Sequence, residues 1–195
     1  MTRWPALLLM SLVLTGPASA ADLEGTLKKI KDSNTITLGY REASRPFSFT
    51  GDDGKPAGYS VDLCTRVAAS VGAALGLPAL QVKWVKVTVE NRMRSVVDGT
   101  IDLECGSTTA SLSRQEQVDF SNMTFVDGGS LLVKTTSNFA TFQDLGGKKI
   151  GIIPGTTTEA AMRTVLQKTS VTAVIVPVTD HLGGLAALES GRIDA

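Results

Sequence analysis

The chain has 195 residues, of which 19 are lysine or arginine and 19 are aspartate or glutamate, so its formal net charge at pH 7 is zero. This balance argues against nucleic acid as a partner, because binding to a polyanion depends on an excess of basic side chains. One histidine and two distant cysteines offer no ligand spacing for a metal site, and a hydrophobic content of 43% is ordinary for a globular protein.

The first 20 residues have the order of a secretory signal. Arg3 precedes an apolar run over residues 6–14, and small residues follow up to Ala20. The run is shorter than the roughly 20 residues that cross a bilayer, which disfavours a membrane anchor. We therefore predict cleavage after Ala20 and export of the remaining chain.

Helices alternate with strands after the signal. The pattern predicts a helix over 23–31, a strand over 35–40, a loop rich in Gly, Asp and Pro over 41–58, a helix over 59–76, a strand over 81–87, a helix over 91–98 and a strand over 101–105. This alternation favours a mainly parallel sheet covered by helices, and so an α/β fold class. The spacing of Cys64 and Cys105 leaves both the paired and the free state open.

The same alternation returns downstream. It predicts a strand over 149–153, a helix over 157–167, a strand over 172–178 and a helix over 181–190. Residues 120–137 between the two stretches contain Gly128-Gly129 and an extended segment over 130–134, which is typical of a crossing between lobes. We therefore predict a first lobe over 21–126, a hinge crossing over 127–136 and a second lobe over 137–195.

A short internal echo supports two similar lobes. Residues 98–102 (DGTID) and 190–194 (SGRID) each end a predicted helix at a glycine and enter a strand through Ile-Asp. Turn chemistry this short also recurs by chance, so the echo alone is weak support for duplication. Because the chain stops at Ala195, just inside the second of these strands, we interpret it as truncated at its C-terminus, with an incomplete second lobe.

Two catalytic arrangements fit poorly. Ser107 lacks the second glycine of a nucleophile elbow, and His181 follows Asp180 directly, which gives no hydrolase triad. The run 151–158 follows a strand and opens a helix, but it has no lysine after its glycine and so fails as a Walker phosphate loop.

Two segments have the pattern of a capping box. Thr156 and Glu159 form one, and Ser113 and Glu116 form another around Arg114. A capped helix start presents backbone N–H groups to an anion, and arginine can grip a carboxylate with a bidentate fork. A well-capped helix and a solvated surface arginine are the ordinary alternatives.

These segments together resemble the type 3 family of bacterial extracellular solute-binding proteins, and within it the glutamate/aspartate-binding branch. The resemblance is carried by residues 39–49 (GYREASRPFSF), 58–63 (GYSVDL), 90–92 (ENR), 104–109 (ECGSTT), 113–114 (SR), 120–121 (FS), 155–157 (GTT), 180–181 (DH) and 188–192 (LESGR). It implies a two-lobe periplasmic-binding-protein fold of type II-like topology that closes on an amino acid.

The resemblance also implies a site for the guest's α-amino acid group. Arg114 would clasp the α-carboxylate with help from Thr109 and from the helix start at Thr156 and Thr157. Ser107 and Thr109 would accept hydrogen bonds from the α-ammonium, and the acidic residue expected beside that ammonium would lie beyond Ala195.

The resemblance also implies positive charge for the guest's side-chain carboxylate, at Arg41, Arg92 and His181. A carboxylate that enters a closed cleft loses water and needs cations that donate hydrogen bonds to it. Each of these residues also has an ordinary alternative as a loop, helix-surface or helix-start side chain. Val89 stands where the branch often has a polar residue, and Phe47 and Phe49 fit either a cleft wall or a core strand.

The expected function is therefore that of a periplasmic substrate-binding protein, a monomer without cofactor or catalytic step, that delivers glutamate or aspartate to the membrane permease of an ABC importer. Two other classes stay open. The same fold serves periplasmic dehydratases of arogenate or prephenate, and it serves sensor modules of membrane proteins.

Overall fold

The computed structural model describes residues 23–195, so the predicted signal over 1–20 lies outside the described part of the chain. The first half consists of α1 (Gly25–Ser33), β1 (Thr35–Tyr40), β2 (Ala43–Ser44), β3 (Ser48–Thr50), β4 (Pro56–Ala57), α2 (Tyr59–Leu75), β5 (Gln81–Lys86), α3 (Arg92–Val97), β6 (Leu103–Glu104) and α4 (Leu112–Gln115). We call this part, from α1 to α4, the first unit.

The second unit runs from a 3₁₀ helix (Phe142–Leu145) to Ala195. It contains β7 (Lys149–Ile152), α5 (Thr157–Thr169), β8 (Val174–Pro177) and α6 (His181–Glu189). Residues 120–137, predicted as the crossing, hold no helix or strand, so the extended stretch over 130–134 pairs with no other strand. Within residues 23–195, no helix is both long and apolar enough to span a bilayer.

Parallel pairing organises both units, which confirms the predicted α/β class. In the first unit the strand order is β5-β1-β6, with Thr35 opposite Gln81 and Leu38 opposite Leu103. In the second, β7 pairs with β8 in parallel from Lys149 opposite Val174 onward. The carboxyl ends of parallel strands lie at the same edge of a sheet, so each unit presents one edge where loops can assemble a site.

Helix α2 forms as predicted because its apolar residues recur every three or four positions. The buried face consists of Val61, Cys64, Ala68, Gly72 and Leu75. It packs on β1 in a core that includes Ile36 and Leu38. Gly76 ends the helix in the left-handed conformation, with φ of 68°, as the sequence predicts.

Residues 43–57 differ from the predicted loop. They form a small antiparallel sheet in which β3 lies between β2 and β4. Strands of two or three residues are too short to leave an alternating apolar pattern in the sequence. They are held by local packing instead, since Ser44 and Ser48 are buried.

The two units repeat one hydrogen bond at the echo segments. The carboxylate of Asp102 accepts a hydrogen bond from the backbone N–H of Thr37 at 2.8 Å, and that of Asp194 accepts one from Lys149 at 2.8 Å. Each aspartate follows a buried isoleucine and accepts a hydrogen bond from the backbone of the first parallel strand of its unit. The echo therefore encodes the same αβ turn twice.

A disulfide joins Cys64 of α2 to Cys105, which settles the question that the sequence left open. The pairing ties the helix to the residue that follows β6, with Cα atoms 6.1 Å apart. It therefore fixes the segment over 104–109, which leaves the carboxyl end of the sheet.

Candidate functional site

Three predicted arginines come together at the carboxyl edge of the first sheet. Arg41 follows β1, Arg92 begins α3, and Arg114 lies in α4. Burial lowers the pKa of Arg92 to about 10; the charge of Glu104 opposes this shift, while the charges of Arg114 and Arg41 add to it. The three guanidinium groups therefore act on one small region, even though they are far apart in sequence.

The polypeptide holds Arg41 in a buried position. Only 7% of the residue is exposed, and its backbone N–H donates to the hydroxyl of Ser48, itself fully buried, at 2.9 Å. Burial lowers the pKa of Arg41, whereas the carboxylates of Glu104 and Asp180 favour its charged form.

Arg92 is placed by the start of α3. Its backbone N–H donates to the carbonyl of Thr88 at 3.1 Å, and Thr88 and Asn91 exchange two further hydrogen bonds. Only 4% of Arg92 is exposed, and its Nε is buried without a hydrogen-bond partner. Within residues 23–195, neither Arg92 nor Arg41 forms a salt bridge. Such buried cations are well suited to an anionic guest.

The segment that carries Ser107 and Thr109 is fixed from several sides. The disulfide holds Cys105, and the hydroxyl of Ser60 donates to the carbonyl of Gly106 at 2.7 Å. One guanidinium nitrogen of Arg114 donates to the carbonyl of Thr109 at 2.9 Å. The side chains of Ser107 and Thr109 are exposed at the rim of this segment.

The predicted capping box over 113–116 is wrong. Helix α4 begins at Leu112 after Ser111, whose backbone is extended with φ of −137°, and no side chain caps this helix start. Ser113 consequently lies inside the helix, where its hydroxyl is 3.3 Å from that of Ser111. Arg114 keeps its predicted place near the sheet edge without this cap.

The predicted capping box at α5 is present in part: Thr156 caps the helix, but Glu159 binds Gly155 and not the backbone of Thr156. The hydroxyl of Thr156 accepts from the N–H of Glu159 at 3.1 Å and donates to the carbonyl of Ile153 at 2.8 Å. The carboxylate of Glu159 accepts from Gly155, one residue before the N-cap, at 2.9 Å. The side chain of Thr156 is thus engaged by the protein, so an anion here would meet the backbone N–H groups of the first turn.

Three contacts join the two units at this site. The hydroxyl oxygens of Thr109 and Thr157 are 3.2 Å apart, and Arg114 donates to the carbonyl of Gly155 at 3.4 Å. At the start of α6, Nδ1 of His181 lies 3.3 Å from the carbonyl oxygen of Ala43. The predicted residues of the second unit therefore face those of the first.

Glu104 is a site residue to which the sequence assigned no role. Its Oε1 is buried and has no hydrogen-bond partner. Burial raises the pKa of this carboxyl, while Arg92, the Thr108 hydroxyl, Arg41 and the N–H of Gly106 oppose that rise. Its place at the carboxyl end of β6, inside the ECGSTT motif, was the available signal.

Phe47 and Phe49, which the sequence placed in either a cleft wall or a core strand, pack on other side chains. Phe47 forms edge-on contacts with Tyr59 and Phe125, with ring centroids 6.2 and 4.9 Å apart. The guanidinium of Arg45 lies 3.8 Å above the centre of the Phe49 ring. Val89, the departure from the branch pattern, lies beside Gly155 of the second unit.

The described residues 23–195 contain no cluster of three or more His, Cys, Asp and Glu side chains that could hold a metal ion. The site instead combines clustered guanidinium groups, hydroxyls and a helix start. These groups can bind a small molecule that carries carboxylates.

Curated relatives of this chain are binding proteins. It is 45% identical over 192 residues to the L-glutamate/L-aspartate-binding protein of Pseudomonas aeruginosa, covering 96% of this chain and 64% of that protein. It is 35% identical over 195 residues to the glutamate/aspartate import solute-binding protein of Escherichia coli, covering 97% of this chain and 65% of that protein. The chain thus spans just under two thirds of the length of these relatives.

Solved structures of amino acid-binding proteins share the fold. An ancestral amino acid-binding protein, a precursor of cyclohexadienyl dehydratase, matches with a TM-score of 0.77 at 27% identity, covering 87% of this chain and 72% of that one. An ancestral arginine-binding protein bound to glutamine matches with a TM-score of 0.71 at 26% identity, covering 83% and 67%. The predicted two-lobe fold class is thereby confirmed.

The sequence model of the bacterial extracellular solute-binding proteins, family 3, matches residues 36–153. That stretch runs from β1 to β7, the first strand of the second unit, and it includes all three clustered arginines. The chain belongs to the bacterial extracellular solute-binding proteins, family 3.

Proposed function

We propose that this chain is the guest-binding part of a periplasmic receptor that captures L-glutamate or L-aspartate and delivers it to the permease of an ABC importer. The observation that carries the proposal is the burial of Arg41 and Arg92 without a carboxylate partner within salt-bridge distance among residues 23–195. Two buried cations this close repel each other, and an anionic guest between them relieves that repulsion.

The guest's two carboxylates have separate places in this proposal. Arg41, Arg92 and His181 bind the side-chain carboxylate. Arg114 and the backbone at the start of α5, at Thr156 and Thr157, bind the α-carboxylate.

Ser107 and Thr109 bind the α-ammonium through their hydroxyl oxygens. This division matches the chemistry of an acidic amino acid, whose negative groups lie at both ends and whose positive group lies beside one of them. A guest with an uncharged side chain would leave Arg41 and Arg92 without a partner.

The wider organisation follows from the same proposal. Residues 1–20 direct export and are removed, residues 21–126 and 137–195 belong to two lobes, and residues 127–136 form part of the hinge. The receptor acts as a monomer in this proposal, and one chain supplies both lobes around the guest.

A dehydratase is the second candidate, favoured by the likeness to a binding protein described as a precursor of cyclohexadienyl dehydratase. The binding function is preferred because the curated relatives named above are described as glutamate/aspartate-binding proteins. Turnover of arogenate or prephenate by the purified full-length protein would favour the dehydratase.

Calorimetric titration of the full-length protein with L-glutamate and L-aspartate tests the receptor. We expect saturable binding of at least one of them and loss of detectable binding in Arg114→Ala. The matched control is Arg94→Ala, which removes an exposed arginine of α3 that pairs with Asp98. Absence of binding to any acidic amino acid would overturn the proposal.

A further inference from the structure

Glu104 places a negative charge among the arginines of the cleft. It ends β6, where burial raises its pKa and the nearby charges of Arg92 and Arg41 oppose that rise. It is absent from the salt bridges of residues 23–195, so no arginine or lysine nitrogen lies within 4.0 Å of its carboxylate. The carboxylate therefore offsets the arginine charges through space and leaves their N–H donors free.

The loop after β6 is built around this carboxylate. A Cβ on Gly106 would collide with Oε1 of Glu104, so glycine is the residue that leaves the necessary space. The N–H of Gly106 and the hydroxyl of Thr108 lie on the same loop and oppose the rise in the Glu104 pKa that burial causes. With Arg92 from α3 and Arg41 from the end of β1, these are the groups that stabilise its negative charge.

We propose that Glu104 sets the charge selectivity of the cleft, because its carboxylate lowers the positive charge that Arg41 and Arg92 offer to the guest's side group. A carboxylate side group, with one negative charge, is repelled by Glu104 less than a side group with two negative charges. A side group with two negative charges is disfavoured by repulsion from Glu104. This inference rests on the proposed function.

The test compares two guests that differ in the charge of the side group. L-Glutamate carries a carboxylate, and L-2-amino-4-phosphonobutyrate carries a phosphonate that is mostly doubly ionised at about pH 8. Both are titrated against the full-length wild-type protein and Glu104→Gln, and the ratio of their dissociation constants is compared. Differences in guest size affect both proteins alike, so the change in the ratio isolates the effect of charge.

We expect Glu104→Gln to shift the ratio about tenfold toward the phosphonate. Asp98→Asn is the matched control, since it removes an exposed carboxylate at the end of α3, where Asp98 pairs with Arg94. It should leave the ratio unchanged. If Glu104 served folding alone, Glu104→Gln would weaken the binding of both guests by the same factor and leave the ratio of dissociation constants unchanged. An unchanged ratio in Glu104→Gln would therefore overturn the inference.

Glu104→Asp provides a second route if Glu104→Gln does not fold. Its carboxylate is retained but withdrawn from the guanidinium groups by one methylene, so the ratio should shift in the same direction by a smaller factor. An unchanged ratio would again overturn the inference. If the wild-type protein binds glutamate and both variants keep its ratio of dissociation constants, this inference alone is refuted. If the wild-type protein binds neither guest, the proposed function is refuted as well.

Discussion

The hydroxyl oxygens of Thr109 and Thr157 lie 3.2 Å apart, the first on the loop after β6 and the second in the first turn of α5. One hydroxyl donates to the other, which joins the first unit to the second beside the clustered arginines. Arg114 adds a second link through the carbonyl of Gly155. The two units therefore meet at the candidate site.

Thr157→Val should weaken guest binding by favouring separation of the units. The valine is similar in shape but cannot form the hydrogen bond to Thr109, which is worth about 1 kcal/mol, or roughly fivefold in affinity. Calorimetric titration with L-glutamate measures the change. Thr158→Val, at an exposed neighbouring position of α5, is the control and should bind like wild type. Equal weakening in both variants would contradict the prediction.

Removing the disulfide should lower the free energy of unfolding. Cys64 and Cys105 are 41 positions apart, and in the chain-entropy description a loop of that size contributes about 4 kcal/mol. Urea denaturation of Cys64→Ala/Cys105→Ala should show a loss of about 2–4 kcal/mol. Under reducing conditions, wild type and variant should unfold at similar urea concentrations. Equal stability under oxidising conditions would contradict the prediction.

Sequence pattern predicts the elements whose burial is periodic. The helix over 59–76 and the strand over 35–40 carry regular apolar spacing, and α2 and β1 confirm both. The short strands over 43–57 were missed because they depend on packing between segments, and the capping box predicted at Ser113 is absent because α4 already begins at Leu112. The disulfide depends on a distance between α2 and the end of β6, which spacing along the chain does not encode.

The candidate site was predicted from the resemblance more than from physical pattern. Nothing in the spacing of Arg41, Arg92 and Arg114 indicates that they converge, since strand order decides which loops meet at a sheet edge. Glu104 received no role because a charged residue at a strand end is ordinary in sequence. Only the structure shows that its oxygen is buried and that the charges of Arg92 and Arg41 act on it.

Acid should weaken the second unit through Asp144, whose carboxylate accepts hydrogen bonds from the N–H of Thr141 at 2.7 Å and that of Ala140 at 2.9 Å. These bonds hold the pKa of Asp144 below its ordinary value. The stabilisation is therefore complete above the unfolded-state pKa of about 4 and is lost as the pH falls through the lower folded-state pKa.

Asp144→Asn tests this pH dependence. Urea denaturation should show the variant less stable than wild type near neutral pH, with the difference shrinking as the pH falls below about 4. The reason is that protonation removes from wild type the same charge that the substitution removes. A difference that stays constant across this range would show that the charge of Asp144 does not stabilise the fold.

Close packing of a strand glycine against an isoleucine side chain occurs in both units and allows a matched test. A Cβ on Gly39 would meet Cδ1 of Ile101, and a Cβ on Gly151 would meet Cδ1 of Ile193. Overpacking of this kind costs about 1–3 kcal/mol, so Gly39→Ala should lower the free energy of unfolding.

Ile101→Val removes Cδ1 and should relieve the collision. In urea denaturation, we expect Gly39→Ala/Ile101→Val to be more stable than the sum of the two single substitutions predicts, by about 1 kcal/mol. The pair Gly151→Ala and Ile193→Val should show the same coupling, because the second unit repeats the contact. If the changes in unfolding free energy are additive in both pairs, the isoleucine side chains move aside freely. If only one pair is coupled, the two contacts are not equivalent in energy.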